Sequence, residues 1–412
     1  MSRAGAASAV TLDQPERRPR VSGVVSGFAS RVHAGDIGSL PIVVGLIVIW
    51  GVLEGLNPSF LSSRNLANLA TECVPVGIIA IGIVLVLLVA EIDLSVGSMS
   101  GVASSILGVG LTSQHWPLPV VMVVALAAGA AVGIIYGAVF VRFGVPSFVI
   151  TLAGLLALLG LQLQLLGANG TINIPFTSAI VGFMQRAFVP AAAAYALAAL
   201  CAAAYLGSAL ARAYRRRKAH LPPMSVRASL VKAALLAVGL EAACWYLSRA
   251  EGVSLPFVLF AALVVVCDFA LRRTRWGRAV YAVGGSAEAA RRAGIKVTRT
   301  YVSVFLLCSL LAALGGLLSA GYLAASSTAS GTGDVNLDAI AAAVIGGTSL
   351  FGGRGNAYSA FLGIVVLESI ANGLTLLNMT SAVRFMVTGG VLAIAVIVDS
   401  LARRRRVAHG RA

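Results

Sequence analysis

Long apolar runs separated by short polar stretches dominate the chain, and at roughly 17 to 25 residues each they match the hydrocarbon thickness of a bilayer. Their continuity excludes a β-barrel, whose strands alternate in segments of about ten residues. In order, the pattern predicts spans over about 39–56, 74–90, 95–111, 117–142, 147–167, 191–211, 228–247, 255–271, 301–323, 337–351, 358–377 and 383–401. The expected fold is therefore an all-α polytopic membrane protein with about 10–12 transmembrane helices. The third and tenth segments are short, and the tenth need not cross fully.

The interruptions carry their own signals. Asn57 to Leu61 predicts an interfacial turn and Arg64 to Leu69 a short amphipathic helix, after which Pro75 falls in the first turn of the second span, a tolerated place. Glu91 to Ser98 breaks an apolar run with two acids and small residues. Gly129, Gly133 and Gly137 stack on one helix face, which lets a neighbouring helix approach closely. The polar stretch 168–190 is expected outside the membrane.

Composition agrees: 58% of the 412 residues are hydrophobic and 11% charged, against about a quarter in soluble proteins. The net charge of +16 comes from clusters between spans and at both ends, which set orientation rather than mark a nucleic-acid partner. With these spans, only Arg64, Arg186, Arg249 and Arg384 fall near outer ends, so both termini are expected in the cytoplasm. Residues 1–37 read as a disordered cytoplasmic tail without signal-peptide features, 38–402 as the transmembrane domain, and 403–412 as a basic cytoplasmic tail.

Candidate chemistry is sparse. Lys218, Lys232 and Lys296 are followed by Ala, Ala and Val, so no Gly-Lys-Ser/Thr phosphate loop exists and no P-loop ATPase activity is expected. Gly346-Gly347-Thr348 and Gly352 to Asn356 read as close packing or a re-entrant turn. Five scattered cysteines and four scattered histidines offer neither metal-ligand spacing nor a catalytic cluster.

The acids within or beside spans, Glu91, Asp93, Glu241, Asp338 and Glu368, fit either relay or structural roles. Asp93 fits a helix cap or a pathway residue equally. Glu368 and Asn372 share a helix face, whereas Gln162 and Gln164 cannot. Asp268 with Arg272, and Asp399 with Arg403, are spaced to pair.

The basic, glycine-punctuated stretch 277–296 separates two apolar runs. Ser286 is placed to cap a short helix whose first turn holds Glu288, and Gly294 to release the chain beyond it. Such a helix on a membrane surface reads either as a solvated loop obeying topology or as a lever pushed by a soluble partner.

Several blocks in order then resemble one family: Ala90 to Met99, Val145 to Gly154, Gly277 to Gly285, Glu288-Ala289-Ala290-Arg291 with Gly294-Ile295, Leu337 to Leu350, and Asn372-Gly373. From about residue 57 onward the chain is similar to the permease subunits of bacterial ATP-binding-cassette sugar importers, the ribose/xylose/galactose group, and looks most like the xylose type. It differs at Ser286, where the family commonly has Asn, and at Arg292-Ala293, where Leu-Ser is common.

The resemblance implies a non-enzymatic, multi-pass subunit of the bacterial inner membrane. It implies as partners a second permease chain forming a homodimer or heterodimer, a cytoplasmic ATPase that holds ATP and Mg²⁺, and an extracytoplasmic sugar-binding protein. No cofactor or metal is expected in this chain. Within the cytoplasmic loop 272–299, Gly284, Gly285, Ser286, Glu288, Ala289, Ala290 and Gly294 would form the helix that docks on the ATPase. The expected cargo is a small neutral sugar, with Asp93, Ser95, Asp338 and Asn372 as candidate path residues. The alternative is an ion-coupled secondary transporter acting alone.

Overall fold

Packing density, not hydropathy, sorts the apolar runs into inner and outer helices. The computed structural model describes residues 40–221 and 225–408. The predicted tail 1–37 lies outside them, as do the side chains of Asp399 and Arg403.

Helices α1 (Leu40–Leu56), α2 (Ser63–Leu88), α3 (Val96–Gly108), α4 (Leu118–Phe143) and α5 (Ser147–Leu166) come first. Then follow α6 (Ala179–Arg186), α7 (Ala191–Lys218), α8 (Val226–Leu247), α9 (Leu255–Arg273), α10 (Arg275–Gly285) and α11 (Ala287–Arg292). The last are α12 (Val297–Leu323), α13 (Val335–Ile345), α14 (Tyr358–Leu376) and α15 (Ser381–Ala408). Among the described residues nine helices are long and apolar enough to span a bilayer, and α1, α13 and the 381–394 part of α15 are shorter apolar helices. The fold is all-α and polytopic.

Helix α12 occupies the centre, against α2, α3 and α4. Its Val304, Cys308, Ala312 and Ala313 are completely buried, as are Val84, Leu85 and Val86 of α2. The glycine stripe of α4 makes the approach possible. A Cβ on Gly129 would stand 2.8 Å from the Ser309 carbonyl, one on Gly137 2.6 Å from the Val302 Cα, and one on Gly133 would meet the Phe305 carbonyl. The neighbour expected from the spacing is thus α12.

Two short antiparallel ladders lie on the face where α5, α8 and α12 end. Strand β1 (Thr171–Asn173) pairs with β4 (Ala325–Ser327), Thr171 opposite Ser327, and β2 (Phe188–Val189) pairs with β3 (Val253–Ser254), Phe188 opposite Ser254. Between β1 and β2, α6 buries Ile180, Val181 and Met184, so stretch 168–190 covers the bundle end rather than hanging free.

Three expectations need correction. The amphipathic helix over 64–69 and the span from 74 are one continuous α2, and Pro75 lies in its interior rather than in its first turn. The polar residues that diluted the hydrophobic pattern there face other helices: Asn65 donates to Asn372 Oδ1 at 2.8 Å, and Thr71 is buried. The tenth segment, expected through 351, is helical only to Ile345, a length of about 17 Å at 1.5 Å per residue, so its end is corrected while its failure to cross is as its shortness suggests. Finally, α15 continues through the basic run to Ala408, so no helix boundary marks the tail predicted at 403.

Replacing Gly133 by Leu forces a branched side chain into the α12 backbone and should destabilise the bundle by about 1–3 kcal/mol. Gly160→Leu, at a position open for 4 Å around, serves as the control. Thermal unfolding in detergent checks the pair: a clear drop for Gly133→Leu and little change for Gly160→Leu.

Candidate coupling junction and translocation path

The basic stretch after α9 folds as a helical elbow. Thr274 caps α10 through a bond from the Gly277 amide at 3.1 Å, and Asp268 pairs with Arg272 at 2.8 Å, as the spacing predicted. Ser286 then caps α11 by accepting from the Ala289 amide at 3.2 Å. Glu288 sits in the first turn and pairs with Arg291 at 3.3 Å and Arg292 at 3.1 Å. Gly294 releases the chain at φ +79°, a conformation that favours glycine. The side chains of Glu288, Arg291 and Arg292 are more than half exposed, while Ala290 is buried. The elbow therefore has a packed inner face and an open charged outer face.

The seven residues expected to form a single docking helix divide between two. Gly284 and Gly285 close α10, Ser286 is the corner, and Glu288, Ala289 and Ala290 belong to α11. Gly284 is the tightest point. A Cβ there would collide with the Leu88 carbonyl and stand 2.7 Å from the Gly353 amide.

Gly353 itself donates to the Leu88 carbonyl at 2.9 Å, and the Tyr281 hydroxyl donates to the Gly355 carbonyl at 2.8 Å. The end of α2, the elbow and the glycine-rich loop after α13 thus meet backbone to backbone. Close packing, not phosphate binding, accounts for those glycines. Burial lifts the Tyr281 hydroxyl above the usual phenol range, with Arg272 drawing it down and Asp268 pushing it up.

Beyond Leu88 the chain breaks before α3. Asp93 is fully buried, and its Oδ1 accepts from both the amide and the hydroxyl of Ser95, at 2.8 and 2.7 Å. The other oxygen, Oδ2, makes no conventional hydrogen bond among the described residues, while the Cys308 thiol reaches the carboxylate and Tyr136 lies near it. The Ser147 hydroxyl and Thr151 Oγ1 accept from the Ile92 and Leu94 amides, while Asn336 donates to the Leu94 carbonyl at 2.7 Å.

Asp338 lies elsewhere. With Gly333, Asp334, Leu337, Phe385, Thr388 and Gly389 it lines a cavity of about 310 Å³ between α13 and α15. Asn372 belongs to a third group, donating to Glu72 Oε2 at 3.1 Å while Tyr322 donates to Glu72 Oε1 at 3.2 Å. The four path candidates therefore do not converge. Asp93 and Ser95 brace the α3 break, Asp338 faces the cavity, and Asn372 ties α14 to α2.

Glu72 is a functional candidate the sequence analysis does not single out, because it falls between the amphipathic stretch 64–69 and the span expected from 74. The signal was the four-residue spacing of Glu368 and Asn372, a polar face that needed partners on another helix. Glu368 lies near Glu72 and within electrostatic reach of Asp334 and Asp338. Gln162 donates to the Ser327 and Ser330 carbonyls at 2.9 and 2.8 Å, and Gln164 is exposed. Among the described residues no His, Cys, Asp or Glu group is arranged to hold a metal ion.

Residues 65–396 match a family profile described as branched-chain amino acid transport system / permease component. The chain belongs to this permease family. The permease is 37% identical to the xylose transport system permease protein of Escherichia coli over 84% of its own length and 87% of that protein's. It is 35% identical to the Haemophilus influenzae xylose transport system permease protein, over 84% and 92% of the two chains. With the Escherichia coli ribose import permease protein it shares 30% identity over 87% and 92%. No solved structure matches it significantly.

The junction yields a direct test. Gly284→Val should drive the 346–357 loop off the α2 end, breaking the Gly353 to Leu88 bond. A net hydrogen bond of about 1 kcal/mol corresponds to amide exchange in that loop about five-fold faster or more. Hydrogen exchange with mass spectrometry reads it, and Gly285→Ala, where a Cβ meets nothing within 4 Å, should leave exchange unchanged.

Proposed function

We propose that the permease carries a small neutral sugar, of the xylose kind, across the bacterial inner membrane with both termini in the cytoplasm. It works as one of two paired permease chains. An extracytoplasmic binding protein delivers the sugar at the face formed by 168–190, and a separate ATPase, holding ATP and Mg²⁺, presses on α11. The names of its relatives support the cargo class.

The observation that carries the mechanism is the backbone junction at Gly284. A push on the charged outer face of α11 reaches the Leu88 end of α2 and the loop below α13 with no flexible side chain between. Helix α13 carries Asp338 and one wall of the cavity, so displacing its lower end changes the cavity's shape. Rigid-body motion of that kind switches access from one side of a membrane to the other. The exposed lining of the cavity is almost entirely apolar, from side chains such as Leu337, Ala341, Phe385 and Leu392, with little polar surface from Asp334, Asp338 and Thr388, so the cavity itself does not select for a polyol.

Vesicles reconstituted with the permease, its ATPase and its binding protein should take up xylose only with ATP. Uptake by the permease alone on a proton or sodium gradient would reject the reading in favour of a secondary carrier. Glu288→Arg removes both α11 ion pairs and reverses the charge beside the exposed amides, and should lower ATP-driven uptake at least ten-fold while ATPase activity persists.

Gly389→Phe places a ring in the cavity at a position with no atom within 4 Å. It should reduce uptake to a similar degree with folding intact, as judged by an unchanged melting temperature. Wild-type uptake in that variant would remove the cavity from the path.

A further inference from the structure

Helices α7 and α8 form a hairpin that stands apart from the main core. Their contact has its own small cluster of Ala194, Ala198 and Cys244, and the Tyr246 hydroxyl donates to the Leu61 carbonyl at 2.8 Å. Leu200, Leu235 and Val238 are each more than 60% exposed, as lipid-facing side chains would be.

Helix α7 has 28 residues, about 42 Å at 1.5 Å each, against a hydrocarbon core of about 30 Å. The surplus of about eight residues falls at its C-terminal end, where Arg212, Arg215, Arg216, Arg217 and Lys218 lie. Arg227 and Lys232 add to the same end from the start of α8.

All seven cations are exposed, and no carboxylate pairs with any of them among the described residues. None could come from nearby in sequence, because the chain has no Asp or Glu between Asp93 and Glu241. The last turn of α7 is also the negative end of its dipole, which holds cations there. Tyr214, 69% exposed, sits at the same level, where an amphipathic ring favours the headgroup region.

We propose that this basic end of the α7–α8 hairpin binds the phosphate headgroups of anionic phospholipids and so anchors the hairpin beside the bundle. The missing countercharge, the position of the cluster just beyond a span and the apolar flanks all fit a lipid occupant. Clusters of four to eight Lys and Arg residues just outside a span attract anionic headgroups at about 1 kcal/mol per residue near the surface.

The test uses the full-length permease in vesicles of equal parts phosphatidylcholine and phosphatidylglycerol, extracted in mild detergent, with retained lipid quantified by mass spectrometry. Wild type should keep phosphatidylglycerol over phosphatidylcholine several-fold. The quadruple variant Arg215→Gln, Arg216→Gln, Arg217→Gln, Lys218→Gln should lose most of that preference. A second quadruple variant, Arg403→Gln to Arg406→Gln, removes equal charge elsewhere and should keep it. Rising salt should erode the wild-type preference, a readout that does not depend on how well any variant folds. No preference in wild type, equal loss in both quadruple variants, or a salt-insensitive preference would each overturn the proposal. So would unchanged lipid retention in the hairpin variant accompanied by loss of a bound acidic protein. None of these readouts requires sugar transport, so they stand apart from the proposed cargo.

Discussion

Backbone against backbone along α12 is the contact on which the rest of the structure depends. Glycines on α4 open one side of it, and Gly315 and Gly316 of α12 itself open others, a Cβ on Gly315 standing 2.7 Å from the Pro75 carbonyl and one on Gly316 meeting the Ser100 carbonyl. In a bilayer, helices gain little from hiding apolar surface, since lipid is as apolar as leucine, so close van der Waals contact must hold them together. Four helices packed at that distance have no room to slide. They form a fixed block.

A fixed block cannot open a path by itself, so movement has to come from what surrounds it. Helices α10 and α11 touch the block at its rim, through Gly284 and Leu88, and the loop below α13 shares that point. Helix α13 is short and faces α15 across the cavity, but it also packs on α2 and α14, with Gly363 of α14 against the Ala342 carbonyl and Gly346 against the Ser359 carbonyl. Close glycine contacts therefore run from the block to the elbow at Gly284 and on to α13 and α14.

How much of this the sequence discloses depends on whether an element's cause is local. The cap at Ser286, the release at Gly294, the Asp268–Arg272 pair and the close-packing face of α4 all follow from neighbours within a few turns, and each is where the pattern put it; the Thr274 cap is equally local and went unread. The unbroken passage of α2 through Pro75 is not local: Gly315 of α12 packs beside that turn, and Asn65 and Glu72 have their partners on α12 and α14. Hydropathy saw only polar residues and ended the helix. Likewise Asp93, Asp338 and Asn372 look alike in a list of acids and amides inside apolar sequence, yet three different sets of long-range contacts send them to three different places. The motifs of the elbow located its helices, but the division between α10 and α11 needed the Leu88 collision to explain it.

Irregular backbone at membrane depth must find its hydrogen bonds inside the protein. Among the described residues 89–95 before α3 and 324–334 before α13 are such segments, and side chains of α5 and α13 meet part of their needs. Asn336 caps the Leu94 carbonyl, Thr151 takes the Leu94 amide, and Gln162 supplies the Ser327 and Ser330 carbonyls. Gly97, in the first turn of α3, lies against the Gly331 carbonyl of the second segment. The upper end of α13 is therefore pinned to the rigid block by bonds that are costly to break away from water, whereas its lower end runs into the glycine loop that the elbow touches. That lower end is held as well, because Gly346 and the Ala342 carbonyl lie backbone to backbone against Ser359 and Gly363 of α14. Under the proposed push on α11, α13 and α14 would therefore have to move as a unit.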